Sequence, residues 1–284
     1  MRLYNSVHRQ QLFHWIGDHI EKRANRGHLN DDLREEYVEC LRSSLRNGLW
    51  SKTPRDGDCI GDGACISVHR PITCFTEWPL GKSLPHTLRY GRLGLGFPKR
   101  FVLSHGGQPV TYLRDGVRNA PYAAAIIALA KWFEQPPGGL LDGKEFQRIR
   151  ERFFYMAHFN KRIKKPKAQK HLSSKHDAVT KPHSAFSHDA YKRIFGPILH
   201  YLEEREWRIV YDKSIARFFH SAEGGEGRPE HYLLYKPGKD LFTVVLPDNK
   251  TINLAMKCED IKGAMYRENA PHITVLSLED IGTF

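Results

Sequence analysis

Glu206-Trp207-Arg208-Ile209-Val210-Tyr211 changes character residue by residue, and this alternation decides how the chain around it is read. A period of two marks a strand, in which successive side chains leave on opposite faces. Glu206, Arg208 and Val210 belong to one face, and Trp207, Ile209 and Tyr211 to the other. A carboxylate at the start of a strand can stand in a cleft and hold or deprotonate a hydroxyl. An arginine two residues on can pair with it or with phosphate. Structural pairing and catalysis both stay open from this pattern alone.

Outward from that segment, Leu12-Phe13-His14-Trp15-Ile16 predicts an early apolar strand, with further strands at 72–75, 93–97, 109–113, 231–235, 241–246 and 273–276. Helices are predicted over 31–46, stopped by Asn47-Gly48, and over 121–134, between Pro121 and Pro136-Pro137. Another helix is expected over 144–164, where Phe146, Ile149, Phe153, Met156 and Ile163 approximate a helical stripe. A last one is expected over 191–203, interrupted by Gly196-Pro197. Residues 51–70 read as a Gly- and Asp-rich loop, and a turn is expected at 104–107. Strands separated by helices and loops, without a regular βαβ series, indicate an α+β fold. The expectation is a single mixed domain over 1–284 with a split or strongly bent antiparallel sheet. Within it, 144–182 is an insertion made of a basic helix and a mobile loop.

The chain has 284 residues with 44 Lys or Arg, 32 Asp or Glu and a formal charge of +12. At 40% hydrophobic and 11% aromatic it can bury a core, which argues against global disorder and fibrous classes. The longest purely apolar run, Ala123 to Ala130, is too short to span a bilayer, and the start lacks the apolar stretch of a secretory signal. A cytoplasmic, membrane-free protein is expected. Cysteines at 40, 59, 65, 74 and 258 form no CxxC pair, so neither a disulfide framework nor a zinc site is expected. Residues 144–175 hold eleven Lys or Arg against Glu145 and Glu151, a local +9 that is three quarters of the whole excess. Such a field attracts polyanions, making Arg150, Lys161, Arg162, Lys164, Lys165 and Lys167 candidate contacts to DNA or RNA. A solvated helix face running into a basic loop explains the same charges.

Gly91-Arg-Leu-Gly-Leu-Gly-Phe97 has neither the GxGxxG nor the GxxxxGK[ST] spacing of a nucleotide loop. Its glycines instead relieve crowding where an added β-carbon would collide. His14 can serve a ribose hydroxyl or a buried carbonyl, and Tyr90 can stack on a ligand or fill a core. The pair His86/Tyr90 is weak evidence for a ligand, and no metal-ligating cluster is evident.

Leu12-Phe-His-Trp15, Ser44-Leu-Arg-Asn-Gly-Leu49, Pro71-Ile-Thr-Cys-Phe-Thr-Glu77, His86-Thr-Leu-Arg-Tyr-Gly-Arg-Leu-Gly-Leu-Gly-Phe97 and Pro109-Val-Thr-Tyr112 together resemble the abortive-infection AbiGi family. Glu204-Arg-Glu-Trp-Arg-Ile209 and the region around Pro247 and Ile261 extend the resemblance over most of the chain. The resemblance implies a phage-defence antitoxin, with a cognate toxin or antitoxin protein as partner. The same order of residues also resembles the ADP-ribosyltransferase fold. That second resemblance implies His14 holding the nicotinamide ribose of NAD, Thr76 as a nearby ribose contact, Tyr90 packing near nicotinamide, and Glu206 as catalytic carboxylate, with Glu204 as its rival. Its functional expectation is an NAD-dependent ADP-ribosyltransferase toxin modifying nucleic acid in phage defence, with NAD as co-substrate and no metal. The alternative is a nonenzymatic antitoxin or nucleic-acid-binding regulator of an abortive-infection system.

Overall fold

The computed structural model describes residues 11–24, 28–53, 70–77, 79–114, 121–134, 143–157, 159–163, 205–223, 229–266 and 271–281. The first strand, β1 (Gln11–Ile16), pairs along its full length with β4 (Leu93–Pro98), and on its other side with β3 (Ile72–Thr76), both antiparallel. Beyond β3 lie β8 (Glu206–Val210) and the short edge strand β5 (Gln108–Pro109). Beyond β4 lie β11 (Thr243–Leu246) and β12 (Thr274–Ser277). The seven-stranded order is therefore β12-β11-β4-β1-β3-β8-β5.

Among these pairs β11 and β12 alone run parallel. A parallel pair needs a crossover, which α7 (Asn249–Met256) and α8 (Glu259–Met265) supply. A small antiparallel sheet is made by β2 (Leu49–Ser51), β9 (Phe219–Glu223) and β10 (Pro229–Leu233). A two-stranded parallel ribbon joins β6 (Thr111–Arg114) to β7 (Asn160–Ile163). The chain is thus a mixture of helices with sheets of both polarities, where an antiparallel sheet was expected.

Helix α2 (Asp31–Asn47) shows how local chemistry sets the element. Asn30 caps it by accepting from the Leu33 amide at 3.0 Å, and Asp31 and Asp32 meet the positive end of its dipole. Gly48 ends it at φ 97°, its amide donating to Ser44 O at 3.0 Å, as the Asn-Gly stop predicts. Leu33, Tyr37, Val38 and Leu41 recur with helical spacing and turn inward. They meet Leu12 of β1, Leu93, Leu95 and Phe97 of β4, Phe75 of β3, Trp207 and Ile209 of β8, and Leu49 and Leu233 of the small sheet. Full burial of each large apolar side chain is worth about 1.5–3 kcal/mol, so this layer holds the fold together.

The remaining helices are α1 (Asp18–Glu21), α3 (Leu84–Tyr90), α4 (Lys99–Ser104), α5 (Pro121–Glu134), α6 (Lys144–Ala157) and α9 (Leu278–Ile281). The helix expected over 144–164 stops at Ala157. Phe159, two residues past that end, packs with Ile72 and Val210, and its carbonyl accepts from the Thr111 amide at 2.6 Å. Residues 160–163 then pair with β6 instead of continuing the helix. The mobile loop over 164–182, the helix over 191–203, and residues 54–69 of the early loop lie outside the described residues.

Candidate functional site

Register assigns the faces of the sheet. Thr76 pairs with both Phe13 and Glu206, so these three side chains form one row across β1, β3 and β8. Two residues along each strand, Trp15, Cys74 and Arg208 form the next row on the same face. This face is lined at one end by the cluster of Phe13, Trp15 and Val245, against which Tyr90 of α3 packs. At the other end it is closed by Ile72, Val210, Phe159 and Tyr155. Cys74, between them on a central strand, is exposed.

The glycines of Leu93-Gly-Leu-Gly-Phe97 shape one wall of that face. An added β-carbon at Gly94 would lie 2.6 Å from Cζ3 of Trp15. At Gly96 it would lie 2.7 Å from Oε1 of Gln11 and 2.8 Å from Cε1 of Phe13. Their absence lets the aromatic side chains of β1 lie down over β4, the crowding relief expected from the sequence. Phe13 and Trp15 stack with ring centroids 5.8 Å apart. The Trp15 indole N–H is buried and has no partner among the described residues.

Glu206 is buried, and its carboxylate is held at both oxygens. Arg208 Nε donates to Oε1 at 2.8 Å, and the Tyr112 hydroxyl donates to Oε2 at 3.3 Å. Period-two spacing puts Glu206 and Arg208 side by side. Tyr112 arrives because β5 pairs with β8, the Val110 amide donates to Glu206 O at 2.8 Å, and the strand runs on into β6. Arg205, just before Glu206, has φ 40°, and its carbonyl accepts from the Glu77 amide at 3.2 Å. A non-glycine residue in this region costs of order 1–3 kcal/mol, so Glu206 follows a strained link.

His14 stands on the opposite face. It lies in register with Leu95, and its ring is 5.8 Å from Phe75, both members of the main core. Its Nδ1 bonds Cys74 O at 2.7 Å. Burial pushes the imidazole pKa below its ordinary value, outweighing the opposing pull of that carbonyl. Of the four residues that the ADP-ribosyltransferase resemblance singles out around NAD, Thr76, Tyr90 and Glu206 share a face and His14 does not. Tyr90 stacks on His86 at 6.0 Å and lies under the Arg89 guanidinium at 5.1 Å. Trp15, Cys74 and Tyr112 also line this face. Phase with Thr76 could have indicated Cys74 from sequence, whereas Tyr112 arrives only through the β5–β8 pairing.

The described basic candidates lie on two elements. Arg150 on α6 lies 5.6 Å over the Phe154 ring, and its buried Nε has no partner among the described residues. Lys161 and Arg162 lie on β7, in register with Tyr112 and Leu113, rather than on a helix. Lys164, Lys165, Lys167 and the rival carboxylate Glu204 lie outside the described residues. Among the described residues, no group of three His, Cys, Asp or Glu is placed to hold a metal, and no helix is long and apolar enough to cross a membrane.

Residues 60–223, more than half of the chain and the span from before β3 to the end of β9, match the family described as "Putative abortive phage resistance protein AbiGi, antitoxin". No curated protein and no solved structure matches the chain.

Proposed function

The chain belongs to the AbiGi family, and from that premise we propose that it is the antitoxin of an abortive-infection system, acting by binding a toxin protein rather than by catalysis. The observation that carries this reading is the division of the would-be catalytic set, with His14 on the core face and Glu206 on the other. Glu206 then serves as an anchor for Arg208 and Tyr112 at the sheet edge. Co-expression with a candidate toxin of an abortive-infection system, read as restored growth and as phage plaque counts, tests the reading. Neutralisation is expected to survive Glu206→Gln in any variant that stays folded, and purified chain is expected to leave NAD intact. Failure to restore growth refutes the antitoxin role.

One observation favours a second reading, an ADP-ribosyltransferase that takes NAD as co-substrate. Thr76, Tyr90 and Glu206 share a face around the exposed Cys74. In this reading another group on that face replaces His14, and the basic 144–175 segment presents a DNA or RNA acceptor. Labelled NAD incubated with DNA, RNA and protein mixtures separates the two readings. Transfer that is lost in folded Glu206→Gln establishes the second and removes the first.

A further inference from the structure

Helices α5 and α6 carry an aromatic core of their own. Ile126, Ala130 and Phe133 of α5 and Phe146 and Phe153 of α6 are buried, with the Phe133 ring 5.6 Å from Phe146 and 5.0 Å from Phe153. Burying that stripe satisfies the apolar demand of both helices, yet four large apolar side chains remain outside it. Leu129 is 45% exposed, Trp132 38%, Ile149 49% and Met156 58%. They are not scattered. Trp132 touches Phe146 edge-on at 5.7 Å, Ile149 stands one turn along α6 from Phe146, and Leu129 one turn back along α5 from Trp132. Clustered exposed apolar side chains mark interaction sites, whereas single ones do not.

Among the described side chains, the charge beside this seam is mainly positive. Lys144, Arg148 and Arg152 recur every fourth residue on α6 and are exposed, as is Lys131 on α5. Among the described side chains of the two helices, Glu151 is the carboxylate set against them. Phosphate binding gains nothing from Leu129, Ile149 and Met156, while a protein partner gains from an apolar centre with a charged rim. We propose that the outer seam of α5 and α6 docks an acidic amphipathic segment of a partner protein, its apolar face on Trp132 and Ile149 and its carboxylates on Arg148 and Arg152. The proposal rests on the antitoxin reading for the identity of that partner, a toxin, and on the seam alone for the partner's chemistry.

The test uses the full chain and a labelled helical peptide with leucine on one face and glutamate on its flanks. A lysine-flanked version and a DNA duplex serve as controls. The glutamate peptide is expected to bind with a blue shift in tryptophan emission that disappears in Trp132→Phe. Ile149→Ser and the double variant Arg148→Glu/Arg152→Glu are each expected to weaken binding about tenfold, and the lysine peptide and the duplex are not expected to compete. These positions are exposed, so a circular dichroism spectrum like that of the unaltered chain accompanies each result. No binding, binding indifferent to the substitutions, or displacement by duplex overturns the proposal. Toxin neutralisation that persists in seam variants unable to bind the peptide also overturns it, and leaves the antitoxin reading standing. Peptide binding by a chain that cannot neutralise toxin supports the seam and removes the antitoxin reading.

Discussion

Gly94→Ala tests the packing of the candidate site's wall in a way that a second substitution can reverse. The new methyl group would sit 2.6 Å from Cζ3, 2.9 Å from Cη2 and 3.0 Å from Cε3 of Trp15. The indole is pinned in the cluster with Phe13 and Val245, so it cannot swing away cheaply. Overpacking of this kind costs about 1–3 kcal/mol. Against it stands the entropy that alanine does not lose in a strand, about 0.5–1 kcal/mol relative to glycine. The net expectation is destabilisation by about 0.5–2 kcal/mol, or roughly 2–4 °C in midpoint per kcal/mol. In a Trp15→Phe background the six-membered part of the indole is gone and the clash with it. There Gly94→Ala should stabilise by about 0.5–1 kcal/mol, giving a coupling of about 1–3 kcal/mol in the double-mutant cycle. Urea unfolding of the four proteins, followed by circular dichroism, measures this. If the alanine costs the same in both backgrounds, the glycine is not there to accommodate Trp15 and the reasoning fails.

Asp248 caps α7 by accepting from the Thr251 amide at 2.7 Å and hydroxyl at 2.6 Å, and it accepts from Arg34 of α2 at 2.9 Å. Burial pushes its pKa up, but the Thr251 and Arg34 contacts outweigh that and hold it below 3.8. Asp248→Ala should cost about 2 kcal/mol at neutral pH, and this difference should shrink as pH falls through the depressed value, measured by urea midpoints. His14 titrates lower folded than unfolded, so its contribution is full above the ordinary value of 6.5 and is lost as pH falls from there. His14→Gln should flatten the stability profile between neutrality and mild acid, and an unchanged slope would remove His14 as its source. Burial lowers His105 in the same direction, so a residual slope is expected from it. Arg205→Gly should relieve the φ of 40°, worth about 1–3 kcal/mol, at a cost of about 0.5–1 kcal/mol in entropy, leaving the protein unchanged or up to about 2 kcal/mol more stable. Destabilisation in thermal melts would show that the Arg205 side chain outweighs the strain.

Most of the large elements are legible in the chain. The apolar run of β1, the capped amphipathic pattern of α2 and the alternation in β8 are strong local signals, and the structure has these elements at nearly the expected positions. Short pieces such as α3, α4 and α8 are not, because six or seven residues hold too few helical turns for a periodic stripe. The end of α6 and the switch to β7 are hidden for a different reason. Ile163 continues the helical stripe in sequence, but the backbone groups of β6 compete for that segment from distant residues.

The candidate site divides along the same line. Sequence by itself determined that Glu206 and Arg208 share a face, since the two-residue period of a strand requires it, and that the chain carries a concentrated positive charge. It also determined, through its motifs, the resemblance to AbiGi proteins. Only tertiary structure decided which residues of other strands stand in the same row, because strand register depends on pairing between segments far apart in the chain. That pairing put Thr76 beside Glu206 and brought Tyr112 to its carboxylate. It also turned His14 toward Phe75 and Leu95, since a shift of one residue along a strand carries a side chain to the other face.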